Sequence, residues 1–395
     1  MKNCIITPTF MPHFQYIIKY LKSADKYIED KENIDFYFTI SAKEKYEFKR
    51  IIEPYNKSLN IHILLFEEIL EKFGVNEKPD QLLKKYGKFS FQTLKKFYTM
   101  LYIKADRYLV LDSETMWIRK TNMKKIFDDF FDKPYIVGSI IDKYTQSSFN
   151  EYVIDNVEFL LKFKSNLWFL EQFAWFYDEK ILRDLFEEIG SPIEAIDKVY
   201  NKIKKVGNEK GIGVFEIILY CNYIYKNKEK YQYKVINAND ECEKYLGHVK
   251  FEEYMYEYFK IYDGNCGLIE RMMVLLTKNN VHDFEKMFVE NNFNIIRCDR
   301  ALKRYTLQKE FIKKAKPYIF AASQDHLFGV NNNIGYIMEY YLKAIIEKIA
   351  IYLYRFPFVS AYKNKKDMYE RVKYLDYHVY QIEQYIEKRE QKSKL

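Results

Sequence analysis

The first 111 residues alternate between two hydrophobic periods, and that alternation leaves few folds open. Residues 3–10 (NCIITPTF), 34–41 (IDFYFTIS) and 61–66 (IHILLF) are short runs of β-branched and aromatic residues, the composition of strands. Between them, Phe14, Ile17, Ile18, Leu21 and Tyr27 recur at helical spacing, and residues 43–53 are charged and helical. Strand, helix, strand and helix in series predict a mostly parallel sheet covered by helices. A charged helical connection over 67–85, broken at Pro79, leads to a helix over 91–103 and a further aliphatic strand, 108–111.

The pattern continues with a helix over 122–131 and a strand over 133–139. A helix over 192–205 follows, opened by Ser191 as cap and Pro192 in the first turn. A buried helix over 214–225 and a strand over 233–237 close the series. Beyond residue 250 the periodicity is helical almost throughout, so two domains are expected: residues 1–250 as an α/β domain and 251–395 as a helical one. Residues 334–353 carry one broad apolar face, ended by Pro357. Met368, Val372, Leu375, Val379, Ile382 and Ile386 form an a/d seam suited to homodimerisation or to packing on the first domain.

Hydrophobic residues make up 48% of the chain, enough for a packed core rather than a disordered chain. The net charge of +8 would suit a nucleoside diphosphate, a phospholipid face or a nucleic acid, though a solvated, mildly basic surface is the plainer reading. The charge is dispersed, which argues against a nucleic-acid partner. Lys363-Asn364-Lys365-Lys366 beside amphipathic helices would suit peripheral contact with an anionic inner membrane face. Cys4, Cys221, Cys242, Cys266 and Cys298 contain no C-x-x-C pair, which fits reduced thiols in the cytoplasm. No signal peptide or spanning helix is expected. The phosphate-loop, dinucleotide and nucleophile-elbow patterns are missing, which weakens kinase, dehydrogenase and esterase readings.

Two strand ends carry the chemistry. Thr7-Pro8-Thr9 closes the first strand, where α/β folds commonly receive a nucleotide. Asp112-Ser113-Glu114 closes the fourth, and strand alternation would put both acids on one side. Two such carboxylates can hold Mg²⁺ or Mn²⁺, whose remaining positions go to water and substrate phosphates. An acidic β-turn is the plainer alternative.

Thr7-Pro8-Thr9-Phe10, Gln92 to Lys95, Tyr108 to Glu114, and Phe215-Glu216 to Asn222-Tyr223 come in an order that resembles GT-A glycosyltransferases. In particular, it is similar to a bacterial family linked to surface polysaccharides, whose metal strand ends Leu-Asp-Ser-Asp. The resemblance covers about residues 3–240. Glu114 stands where that family usually has Asp, and the Ser or Thr often found before the late Glu is missing. The resemblance implies a nucleotide-sugar donor held by Thr7, Pro8, Thr9, Gln92, Lys95, Asp112 and Ser113. It implies Mn²⁺ or Mg²⁺ on Asp112 and Glu114, and a glycan or lipid-linked glycan acceptor of capsule or lipopolysaccharide type.

If transfer inverts the sugar, a carboxylate must take the acceptor's proton. Glu216, inside the apolar VFEIILY, is the first candidate, and Glu171, between two Trp-bearing clusters, is its rival. His248 is a candidate third metal ligand. A lone His is more often structural, and Glu216 would also suit the solvated side of a helix. The reading from another class is a non-catalytic membrane-surface or assembly module of a polysaccharide system.

Overall fold

A computed structural model describes residues 1–141, 148–171, 175–206, 213–246, 268–269, 281–297 and 320–323. His248, the Lys363–Lys366 cluster and the helices expected over 334–353 and 368–386 lie outside the described residues. The chain divides into two compact units, Met1–Val330 and Asn331–Leu395, and every described residue belongs to the first.

The alternation resolves into β1 (Asn3–Pro8), α1 (Phe14–Tyr27), β2 (Asp35–Ile40), α2 (Lys45–Ile52), β3 (Asn60–Leu65), α3 (Phe66–Lys72), α4 (Pro79–Tyr102) and β4 (Arg107–Val110). Then come β5 (Thr115–Trp117), α5 (Met123–Asp132), β6 (Tyr135–Ile140), α6 (Ser148–Leu161), β7 (Leu167–Trp168), β8 (Phe176–Asp178), α7 (Glu179–Ile189) and α8 (Pro192–Val206). The remaining elements are α9 (Glu216–Lys226), α10 (Lys228–Tyr231), β9 (Lys234–Asn237), α11 (Ala238–Leu246), α12 (Val281–Glu290), β10 (Ile295–Arg297) and β11 (Ala321–Ser323).

The fold is α/β. Its main sheet runs β3-β2-β1-β4-β8, with β1 to β4 mutually parallel and β8 antiparallel at the edge. Cys4, Ile5 and Ile6 are all buried, as expected of a central strand covered on both faces. The chain builds β1, β2 and β3 outward in one direction, then returns to lay β4 on the other side of β1. That reversal is a topological switch point at the carboxyl ends of β1 and β4, the place where open α/β sheets form the crevice that receives a ligand. Among the described residues there are two smaller sheets, β7-β6-β9 and β10-β11-β5.

Much of the aromatic content is structural. Tyr20 and Trp117 meet edge-on at 4.9 Å, Phe36 and Phe38 pack on the same pair, and all four are fully buried. Pro79 opens α4 rather than merely interrupting a connection, since proline suits a first helical turn. The helix is broken once, at Gly87, whose φ of 78° is open to glycine at little cost.

Two findings depart from the sequence expectation. Thr115 N–H donates to the Asp112 carbonyl (3.0 Å), so residues 112–115 form a turn and strand alternation does not govern the two acids. Past residue 250, where only helical spacing is legible, β11 pairs antiparallel with β5 and parallel with β10. Strands of three residues are too short to register a period of two, and their partner lies about 200 positions upstream.

Candidate active site

The crevice is built from the ends of β1 and β4. Leu111 N–H donates to the Ile6 carbonyl (2.9 Å), which keeps the two strands in register to their last residues. After β1 the chain makes a short 3₁₀ turn, Met11–His13. That turn throws His13 across to the Asp112–Thr115 turn. The buried Ser113 hydroxyl donates to Glu114 Oε2 (3.1 Å) and lies 2.9 Å from His13 Nδ1. With Ser113's single proton given to Glu114, the His13 Nδ1–H is the donor. His13 Nδ1 is also 3.8 Å from Glu114 Oε2.

The second half of α4 supplies the positive charge. Lys96 Nζ is 2.5 Å from Glu216 Oε1 and 3.4 Å from Asp112 Oδ1, and it lies over the Trp175 ring at 4.8 Å. Burial by itself pulls this ammonium down, but Asp112 and Glu216 outweigh it and the net shift is upward. Lys96 is therefore a fixed cation. Glu216, at the first turn of α9, is 2% exposed, and its other oxygen accepts the Thr93 hydroxyl (3.0 Å). Thr93 also lies 2.6 Å from the Val214 carbonyl, tying the approach to α9 onto α4. Gly213 permits that closeness, since a Cβ there would collide with the Ser90 side chain.

Lys95 faces elsewhere. Its ammonium donates to the Thr9 carbonyl (2.7 Å) at the end of β1. Burial pushes its pKa down to about 8, against a weaker opposing pull from Glu44 and Glu67. Thr7 is turned into the core, where its hydroxyl donates to the Tyr20 hydroxyl (2.9 Å). Pro8 is the last residue of β1, opposite Thr39. The Thr9 hydroxyl is buried with no hydrogen-bond partner, which suits a site completed by a ligand. Gln92 is half-buried one helical turn before Lys96, on the same face of α4.

The structure thus gathers Asp112, Ser113, Glu114, Thr9 and Glu216 about the carboxyl ends of the inner strands β1 and β4. Glu171 has a different setting: it is buried, and its Oε1 accepts the Ile269 backbone N–H (2.9 Å). Sequence reasoning missed His13, Thr93 and Lys96. The available signal was the run Thr93-Leu94-Lys95-Lys96-Phe97, two lysines inside a helix stretch that is otherwise core-like.

A divalent cation can be tested against this donor set. Asp112 and Glu114 leave one turn with side chains 28% and 22% exposed, and two carboxylates are a sufficient protein share for Mg²⁺ or Mn²⁺ bound with phosphate and water. Among the described residues no group of three His, Cys, Asp or Glu side chains forms a ready cage. The residues present therefore fit a cation shared with substrate rather than one enclosed by protein. Among the described residues, too, no helix is long and apolar enough to cross a membrane.

No protein-family profile and no curated sequence matches the chain. Solved structures with a similar course of the backbone include apo mouse xyloside xylosyltransferase 1, with a TM-score of 0.35 and 9% identity over 67% of this chain and 94% of that one. They also include an active-site mutant of LgtC, with a TM-score of 0.34 and 12% identity over 60% of this chain and 73% of that one.

Proposed function

We propose that the protein is a glycosyltransferase of GT-A type, moving a sugar from a nucleotide donor to a glycan or lipid-linked glycan of a bacterial surface polysaccharide. The observation that carries this reading is the set of groups at the β1/β4 crevice: two acids on one turn, a fixed ammonium, and an orphaned hydroxyl. Breaking the bond between sugar and diphosphate puts negative charge on the leaving oxygen while the anomeric carbon becomes cationic. A site that stabilises this must place cationic groups where that charge develops.

In this reading Thr9 and Ser113 meet the nucleotide, and Lys96 faces the diphosphate across Asp112. Glu216 holds Lys96 in place, because both its oxygens are already engaged by Lys96 and Thr93. Lys95 secures the end of β1 through the Thr9 carbonyl. Asp112 and Glu114 would hold Mn²⁺ or Mg²⁺, which supplies Lewis-acid stabilisation of the departing phosphate when bound.

Isothermal titration with UDP, GDP, ADP, CDP and CMP, each with Mn²⁺ and with a chelator, tests the reading. Binding of at least one nucleotide, weakened at least tenfold by Asp112→Ala, is expected. No binding in any condition would sink it.

A further inference from the structure

The other end of α9 carries a second built feature. A cavity of about 940 Å³ opens where α6, the 162–166 loop and the last turn of α9 meet, within the size range of small-ligand sites. Ile154, Glu158, Phe163, Asn166, Tyr225 and Lys226 are among its walls. Phe163 and Tyr225 stand edge to face at 5.9 Å, and Tyr225 also packs on Phe169 at 5.5 Å. The Tyr225 hydroxyl donates to Asn166 Oδ1 (3.1 Å), so the two side chains fix each other.

Three lysines and two acids line these walls, and one of the lysines is already paired outside them. Lys226 is held by Glu188 (2.5 Å) and by the Leu161 carbonyl (2.9 Å). Lys164 and Lys228 line the opening with Asp155 and Glu158, and Lys202 Nζ donates to the Asp155 carbonyl (3.0 Å). Burial raises the pKa of Glu158, while Lys164 pulls it back. A phosphate-bearing ligand would need a clear excess of positive charge, and an apolar one would leave this polar rim unpaired. A neutral polyhydroxylated molecule satisfies both conditions: its hydroxyls pair with the acids, amide and ammonium groups, and its apolar ring face lies on the aromatics.

We propose that this cavity binds a neutral saccharide. If the transferase reading of the β1/β4 crevice holds, on which this second step rests, the saccharide is a distal part of the acceptor chain. Tyr225 follows Glu216 by nine residues of continuous helix, which is roughly 14 Å along the axis. A glycan of several sugars can span that length.

Saturation-transfer NMR on the full chain with lactose, maltose and cellobiose tests this, with glucuronic acid as the anionic comparison. Transfer to at least one neutral disaccharide is expected, falling more than fivefold in Tyr225→Ala. Asn166→Ala, at an exposed position that leaves packing intact, is expected to lower it as well. Nucleotide affinity should stay within twofold in both variants. Transfer to no disaccharide, transfer to glucuronic acid alone, or transfer unchanged in both variants overturns the proposal. Saccharide transfer without any nucleotide binding upholds the cavity and removes the transferase reading. Nucleotide binding without saccharide transfer does the reverse.

Discussion

Lys95 and Lys96 are adjacent and both buried, yet they leave α4 about 100° apart and meet opposite surroundings. Lys95 finds a single carbonyl, that of Thr9, with Glu44 and Glu67 acting on it only from a distance. Burial wins there, and its pKa falls to about 8. Lys96 suffers the same desolvation but touches Glu216 and Asp112, and its pKa rises. The same residue type, at the same depth on the same helix, is made labile or permanent by its partners alone.

The strongest way to break this contrast is Lys96→Met. It strands the Glu216 carboxylate in the interior without a countercharge, which typically costs about 3–5 kcal/mol. Urea unfolding should show the loss, and Lys96→Met combined with Glu216→Gln should recover more than half of it. A single variant as stable as the parent chain would mean that Lys96 is not an internal counterion.

Gly213→Ala should come next. A methyl at this position lands on Ser90 and pushes the 213–216 approach off α4, at roughly 1–3 kcal/mol, a usual cost of overpacking. Thr93→Val removes the hydroxyl shared by Val214 and Glu216 and should cost about 1–2 kcal/mol. Both act on the Lys96 side, so both should leave the pH response of Lys95 unchanged.

Lys95→Met should be the mildest near neutral pH, within about 1 kcal/mol, because a lost hydrogen bond is offset by relief from a buried charge. Its signature is in pH dependence. The folded pKa of about 8 lies below the unfolded value of roughly 10.4, so between them the unfolded chain binds more protons and stability rises with pH. Buried Cys4, Cys221 and Cys242, with thiol pKa values raised by burial, pull the other way in both chains, so the difference carries the test: from pH 7.5 to 10 the urea midpoint of the parent should gain on that of Lys95→Met. Lys96 contributes no slope there, since its stabilisation is complete below the unfolded pKa and is lost only as pH climbs through the raised folded value.

The sheet was legible because a parallel strand covered on both faces must be apolar throughout, as Cys4-Ile5-Ile6 and Tyr108-Leu109-Val110 are. The position of the two acids followed from where the fourth apolar run stops. Their orientation did not, because Asp112 to Thr115 is a turn with its own hydrogen bond. The apolar run around Glu216 left it open between a buried and a solvated position, and the partner that goes with its burial lies 120 residues upstream. The reach of His13 to Ser113 spans 100 residues. α7 also escaped the sequence reading, although Asp178 caps its first turn and Gly190, with φ of 88°, ends it.

By itself the sequence determined the alternation of strands and helices, the two polar strand ends, and the acids that follow the fourth strand. These are local properties, set by period and by where apolar runs stop. Only the tertiary structure decided which lysine serves those acids. That choice depends on the phase of α4 after its break at Gly87, on strand order, which lays β4 beside β1, and on Thr93, which ties the start of α9 to α4. The energy of a buried charge is fixed by the distance to its partner, and no local pattern records a distance between residues 96 and 216.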